Sequence, residues 1–286
     1  MKYTNRKEWE SSKNKRVSLI GMSGLGKTRL SNILQSSFSW FHYSIDYRIG
    51  TRYLDEHIVD NFKQEAMKNP FLRDLLLSDS IYISSNLNFN NLSPLSTYLG
   101  KPGHKDLGGI DIDLYVKRQK QHKNAEILSV LDTNKFIEKS KDIYGYPNFV
   151  CDTSGSICEV VDPKNSNDPL LNHLYKNTLI IHIKGDKTHE NELIKRFTKN
   201  PKPIYYNEDF LQEKWSTFKE ENKVSNQHVN PTQFIMYCFK DLLKHRTPTY
   251  DLIAKNWGVT IKADEASTIK NEKDFIDLIS HCLDKK

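Results

Sequence analysis

The chain has 286 residues, a formal net charge of +6, and 37% hydrophobic and 11% aromatic side chains. That length holds one large domain, or one domain with a sizeable insertion. No apolar stretch approaches the roughly 20 residues that cross a bilayer, and no CxxC pair occurs among Cys151, Cys158, Cys238 and Cys282, so a membrane span, a zinc site and a disulfide framework are not expected.

Residues 1–15 are polar and predict a flexible lead-in, with Trp9 as the side chain to dock on the body. No apolar segment stands directly behind the basic N-terminal residues, so no signal peptide is read there and a cytoplasmic enzyme is expected. Residues 16–20, RVSLI, predict the first strand. Gly21, Met22, Ser23, Gly24, Leu25, Gly26, Lys27 and Thr28 follow and fit GxxxxGK[ST] in full. Glycines let such a loop curl with its N–H groups inward, toward a phosphate. The helix expected from Thr28 to about residue 38 adds unpaired N–H groups and its positive end. In this pattern Lys27 reaches the β- and γ-phosphates of ATP, and the Thr28 hydroxyl holds Mg2+.

Residues 41–47 predict the second strand, placed beside the first, with Asp46, Arg48 and Arg52 at and just past its end. Groups there line the ligand crevice of a parallel sheet. Asp46 is thus a candidate to orient or deprotonate an acceptor hydroxyl, and Arg48 or Arg52 to bind an anionic part of the same molecule. A helix is expected over 54–67. The stretch from about 70 to 145 reads as an insertion, its first part rich in Asn, Ser, Pro and Gly as loops are. Within it 110–140 reads as largely helical, and its basic run 117–123 leaves a nucleic-acid acceptor open.

Residues 147–151 predict a third strand that ends at Asp152, a candidate to hold a Mg2+-bound water. Ser154 and Gly155 follow in a small-residue turn that lets a substrate approach the backbone. A short helix begins near Pro169. Residues 178–183, TLIIHI, read as a buried parallel strand, with a helix over 190–198 carrying Arg196. A helical region follows at about 200–245. Arg246 opens RTPTYDLIA, a last strand lies near 258–262, and an amphipathic helix spans 271–283.

The order of these features resembles the shikimate kinase and gluconate kinase branch of the P-loop kinases. The resemblance rests on GMSGLGKT at 21–28, Asp46, DTSGS at 152–156 and RTPTYDLIA at 246–254. It implies a five-stranded, mostly parallel sheet flanked by helices within 16–286, and phosphate transfer from ATP to a hydroxyl. It also implies a base-side role for Arg246 and a lid role for Arg196. The acceptor is expected to be an anionic metabolite, a nucleoside or a nucleic acid. The alternatives are an ATPase or switch that hydrolyses ATP to drive a conformational change, and a nucleotide-dependent binding module. Oligomeric state is not legible.

Overall fold

The computed structural model describes residues 2–284. Met1, Lys285 and Lys286, at the outer ends of the expected ranges 1–15 and 16–286, lie outside the described residues. Five strands are present among the described residues: β1 (Arg16–Ile20), β2 (Trp40–Ser44), β3 (Asn148–Asp152), β4 (Leu179–Lys184) and β5 (Gly258–Lys262). They form one sheet in the order β2-β3-β1-β4-β5, and every neighbouring pair is parallel. All five residues of β3 and the first five of β4 are buried, as strands covered on both faces must be. Helices Lys27–Ser36 and Thr133–Asp142 pack on β2 and β3, Pro169–Asn177 on β4, and Glu272–Asp284 on β5. The fold is therefore α/β, a parallel sheet flanked by helices with a glycine loop after β1, as in P-loop NTPases. No helix among the described residues is long and apolar enough to cross a membrane.

Local chemistry explains several boundaries. Pro169 sits in the first turn of its helix, where a missing N–H costs nothing, and the Asp168 carboxylate accepts the Leu171 N–H at 2.8 Å. In the lead-in, Arg6–Ser11 is a helix and Trp9 is fully buried. The Trp9 indole donates to Ile276 O at 3.1 Å and meets Phe275 edge-on.

Four expectations change. The second strand ends at Ser44, not at 47, because Ser44 pairs with Asp152 and β3 stops there; Asp46 lies in the short helix Ile45–Arg48 instead. β2 borders β3, which separates it from β1. The helical stretch over 110–140 is two helices, Ile112–Leu131 and Thr133–Asp142, parted at Asp132. The helical region expected to end near 245 runs on through RTPTYDLIA, inside the single helix Pro231–Trp257, which tolerates Pro248 in its interior.

The chain folds as two compact units. The first holds the sheet and comprises the chain up to Ile45, Glu126–Pro201, and Met236 onward. The second comprises Asp46–Ala125 and Lys202–Ile235, with helices Asp55–Ala66, Pro70–Leu77, Ser93–Leu99 and Glu208–Asn222. Trp215 and Phe218 meet Phe234 edge-on in its core. The basic run is not a continuous charged face. Arg118, Gln119 and His122 are buried, and Arg118 donates to Tyr98 O and to Asn61 Oδ1. Lys120 pairs with Glu208 at 3.0 Å.

Candidate functional site

The loop after β1 has the backbone of a phosphate cradle. Gly21, Gly24 and Gly26 all take positive φ, at 140°, 88° and 98°, which side chains disfavour. Gly21 has a second reason to be glycine: a Cβ there would stand 2.7 Å from Ile183 O on β4. Helix Lys27–Ser36 starts at Gly26 with no side-chain cap, whereas Asp186, Asp168 and Asn207 cap theirs. Its first N–H groups are left for a ligand. Lys27 is buried, and its ammonium donates to Gly21 O at 2.7 Å and Met22 O at 3.2 Å. Thr28 is exposed.

The turn after β3 touches this loop. A Cβ on Gly155 would lie 2.0 Å from Ser23 Oγ and 2.9 Å from Ser23 N, so only glycine fits while the loop keeps its place. Two buried groups hold the turn. Glu126 is fully buried on helix Ile112–Leu131; it accepts from Ser154 Oγ, and from Ser156 Oγ at 2.8 Å. Arg246 donates to Gly155 O at 3.0 Å and to Glu159 Oε1 at 2.7 Å. Burial alone would lower the Arg246 pKa and raise that of Glu159. The Glu159 carboxylate, bonded to it, instead raises Arg246, while His245 and Arg246 hold Glu159 at about 2. Arg246, the base-side candidate, is thus committed to the turn.

A cavity of about 220 Å3 opens beside the loop, past the carboxyl ends of β1 and β4. The chain leaves these two neighbouring strands in opposite directions across the sheet, which makes such a crevice. Met22, Leu25, Leu193, Leu243 and Tyr250 give it apolar walls, and Lys184, Asp186, Glu190 and Thr247 a polar rim. His182, stacked on Tyr250 at 5.5 Å, completes it. Burial lowers the His182 pKa to about 4, so its ring is neutral near pH 7. Arg196, on helix Lys187–Lys199, reaches the loop and donates to Gly24 O at 3.3 Å.

Asp152 ends β3 in line with Leu19 of β1, its carboxylate 3.7 Å from His42 Nε2. One hydroxyl, Thr28, and one carboxylate, Asp152, suit a hard cation that takes oxygen ligands and keeps several waters. Asp186, His189 and Asp264 also offer ligand atoms within 4.8 Å of one another, but Asp186 and His189 are already spent on capping their helix.

Asp46, Arg48 and Arg52 belong to the second unit. Asp46 is half-buried in the short helix after β2, Arg52 is exposed, and the Arg48 guanidinium lies over the Tyr53 ring at 5.5 Å. The structure thus brings Lys27, Ser23, Gly24, Ser154, Gly155, Arg196 and Arg246 around one loop. Sequence reasoning missed Glu126 and His182. A signal existed for each: Arg118, His122, Ala125 and Ser129 recur at helical spacing as a buried stripe that Glu126 adjoins, and His182 is the polar residue inside an apolar strand.

No family profile and no curated protein matches the chain. Among solved structures it is similar to a shikimate kinase from Bacteroides thetaiotaomicron, at 11% identity and a TM-score of 0.38, over 94% of this chain and 98% of that one.

Proposed function

We propose that the protein is an ATP-dependent phosphotransferase that moves the γ-phosphate to a hydroxyl of a metabolite, nucleoside or nucleic acid. The observation that carries this reading is the uncapped glycine loop with the buried Lys27 ammonium inside it. In the free protein Lys27 is held by the loop's own carbonyls, so its charge is already at the place where phosphate oxygens would sit. That arrangement avoids reorganisation when a nucleotide binds.

Bound ATP with Mg2+ supplies the transferable phosphoryl group and part of its charge neutralisation. The chain's residues do the rest. The N–H groups of 21–28 cradle the phosphates, and Lys27 stabilises charge on the oxygens between the last two. Thr28 and Asp152 would hold the cation. Arg196 stands over the loop to meet the moving group. The cavity walled by Leu25, Leu193 and Tyr250 takes the nucleoside. Asp46 orients the acceptor hydroxyl, with Arg48 or Arg52 on its anionic part.

The test is transfer of labelled γ-phosphate across pools of metabolites, nucleosides, RNA and DNA, with Asp46→Asn and Lys27→Ala in parallel. Label on an organic acceptor, lost in both variants, supports the kinase. Label released only as free phosphate, at a rate Asp46→Asn leaves unchanged, overturns it in favour of an ATPase.

A further inference from the structure

The second unit holds a cavity of about 570 Å3 that the phosphate loop does not explain. Its size falls within the range of about 300–1,000 Å3 usual for small-molecule sites. The lining contains Lys101 and Lys202 and no carboxylate. Among the described residues neither lysine has an acidic partner, and Lys101 donates only to Thr232 Oγ1, at 3.2 Å. Two lysines therefore line one space whose walls carry no carboxylate.

Helix Ser93–Leu99 adds hydroxyls to the same wall. Ser93, Ser96 and Thr97 stand at i, i+3 and i+4, one face of a helix, and all three line the cavity. The opposite face, Leu95, Tyr98 and Leu99, is buried. None of the three hydroxyls makes a hydrogen bond among the described residues. Phe89, stacked on Tyr47 at 4.6 Å, closes an apolar side.

The geometry points to a second anion site, for an organic phosphate. Lysines bind phosphate as point charges, and three hydroxyls give short donors to a tetrahedral group with several acceptor oxygens. The apolar side takes the body of the molecule. A carboxylate has fewer acceptor sites to match this donor set, and a cation would meet two like charges. This site goes beyond the phosphotransferase reading and does not depend on it.

Phenyl phosphate is the probe, followed by ligand NMR line broadening on the full chain at constant ionic strength. In the Lys27→Ala protein the phosphate loop no longer competes. Saturable binding of phenyl phosphate persists there, and phenol shows none. Adding Lys101→Met and Lys202→Met to that protein weakens binding by about tenfold or more, as losing charged hydrogen-bond donors does. Ser96→Ala, a milder change, weakens it by roughly twofold to tenfold and guards against misfolding of the double variant. Binding that disappears with Lys27→Ala alone, or that the lysine and serine variants leave unchanged, overturns the proposal. Neither result bears on the transfer assay, so the two readings fail separately.

Discussion

Two turns leave the carboxyl ends of the neighbouring strands β1 and β3, and they are built in opposite ways. The loop at 21–28 keeps its N–H groups open, with no side chain capping the helix that follows. The turn at 153–156 is held by side chains: Thr153 bonds Leu19 O, Ser154 and Ser156 bond Glu126, and Gly155 O takes Arg246. They touch at Gly155 and Ser23. One turn is left for a ligand, and the other is a fixed wall that sets where the first must lie.

The largest effect expected from this contrast is on the wall. Arg246→Met leaves the buried Glu159 carboxylate without its guanidinium, with His245 at 3.2 Å as a remaining partner, and breaking a buried pair costs about 3–5 kcal/mol. Thermal or urea unfolding measures it. Arg246→Met with Glu159→Leu should recover most of the loss, because replacing both partners by apolar groups is often nearly neutral. An Arg246→Met protein as stable as the parent would mean that the turn does not need its arginine. On the open loop the reverse pattern is expected. Lys27→Ala should lower phosphoryl transfer by about 10²–10³ and move the unfolding midpoint little, since Lys27 bonds carbonyls of its own loop.

The contact between the turns is the next place to test. Gly155→Ala puts a methyl 2.0 Å from Ser23 Oγ, so one turn must move. Overpacking of this kind costs about 1–3 kcal/mol, and the loop is the side free to yield. Calorimetric titration with ATP should therefore show weaker binding in Gly155→Ala. Ser23→Ala in the same chain should restore part of it, the remainder lost to Ser23 N at 2.9 Å. If ATP binds Gly155→Ala as it binds the parent, the wall does not set the loop.

The same contrast explains what was legible beforehand. The loop's chemistry is made by contiguous backbone, so glycines, a lysine and a threonine in a row display it. The sheet was legible for a similar reason, since each strand carries a short, mostly apolar local run. The wall is made by partners far apart in sequence: Glu126 lies 28 residues before Ser154, and Arg246 lies 91 after Gly155. The motif around Arg246 shows the cation but not Glu159, the carboxylate it pairs with. The neighbour of β2 was misjudged because strand order follows from crossovers, which no local pattern records.

Acid titration separates the two sides with the smallest expected effect. His182 walls the cavity on the loop side, and burial lowers its pKa from 6.5 to about 4, against the pull of Asp251 and helped by Lys184 and Lys27. The unfolded chain takes up this proton as pH falls past 6.5, while the folded chain resists until about 4. Stability contributed by the neutral ring is therefore full above 6.5 and is lost as pH falls from 6.5 to about 4. Glu159, on the wall side, has its pKa lowered from 4.5 to about 2. Its contribution is full above 4.5 and lost as pH falls from there to about 2. Unfolding free energy against pH should therefore fall in two stages. His182→Phe should shrink the upper stage, to which the half-buried His173 also contributes, and leave the lower one, and Glu159→Gln should do the opposite. A single stage that both variants alter equally would mean that loop side and wall titrate as one network and that the division between them is wrong.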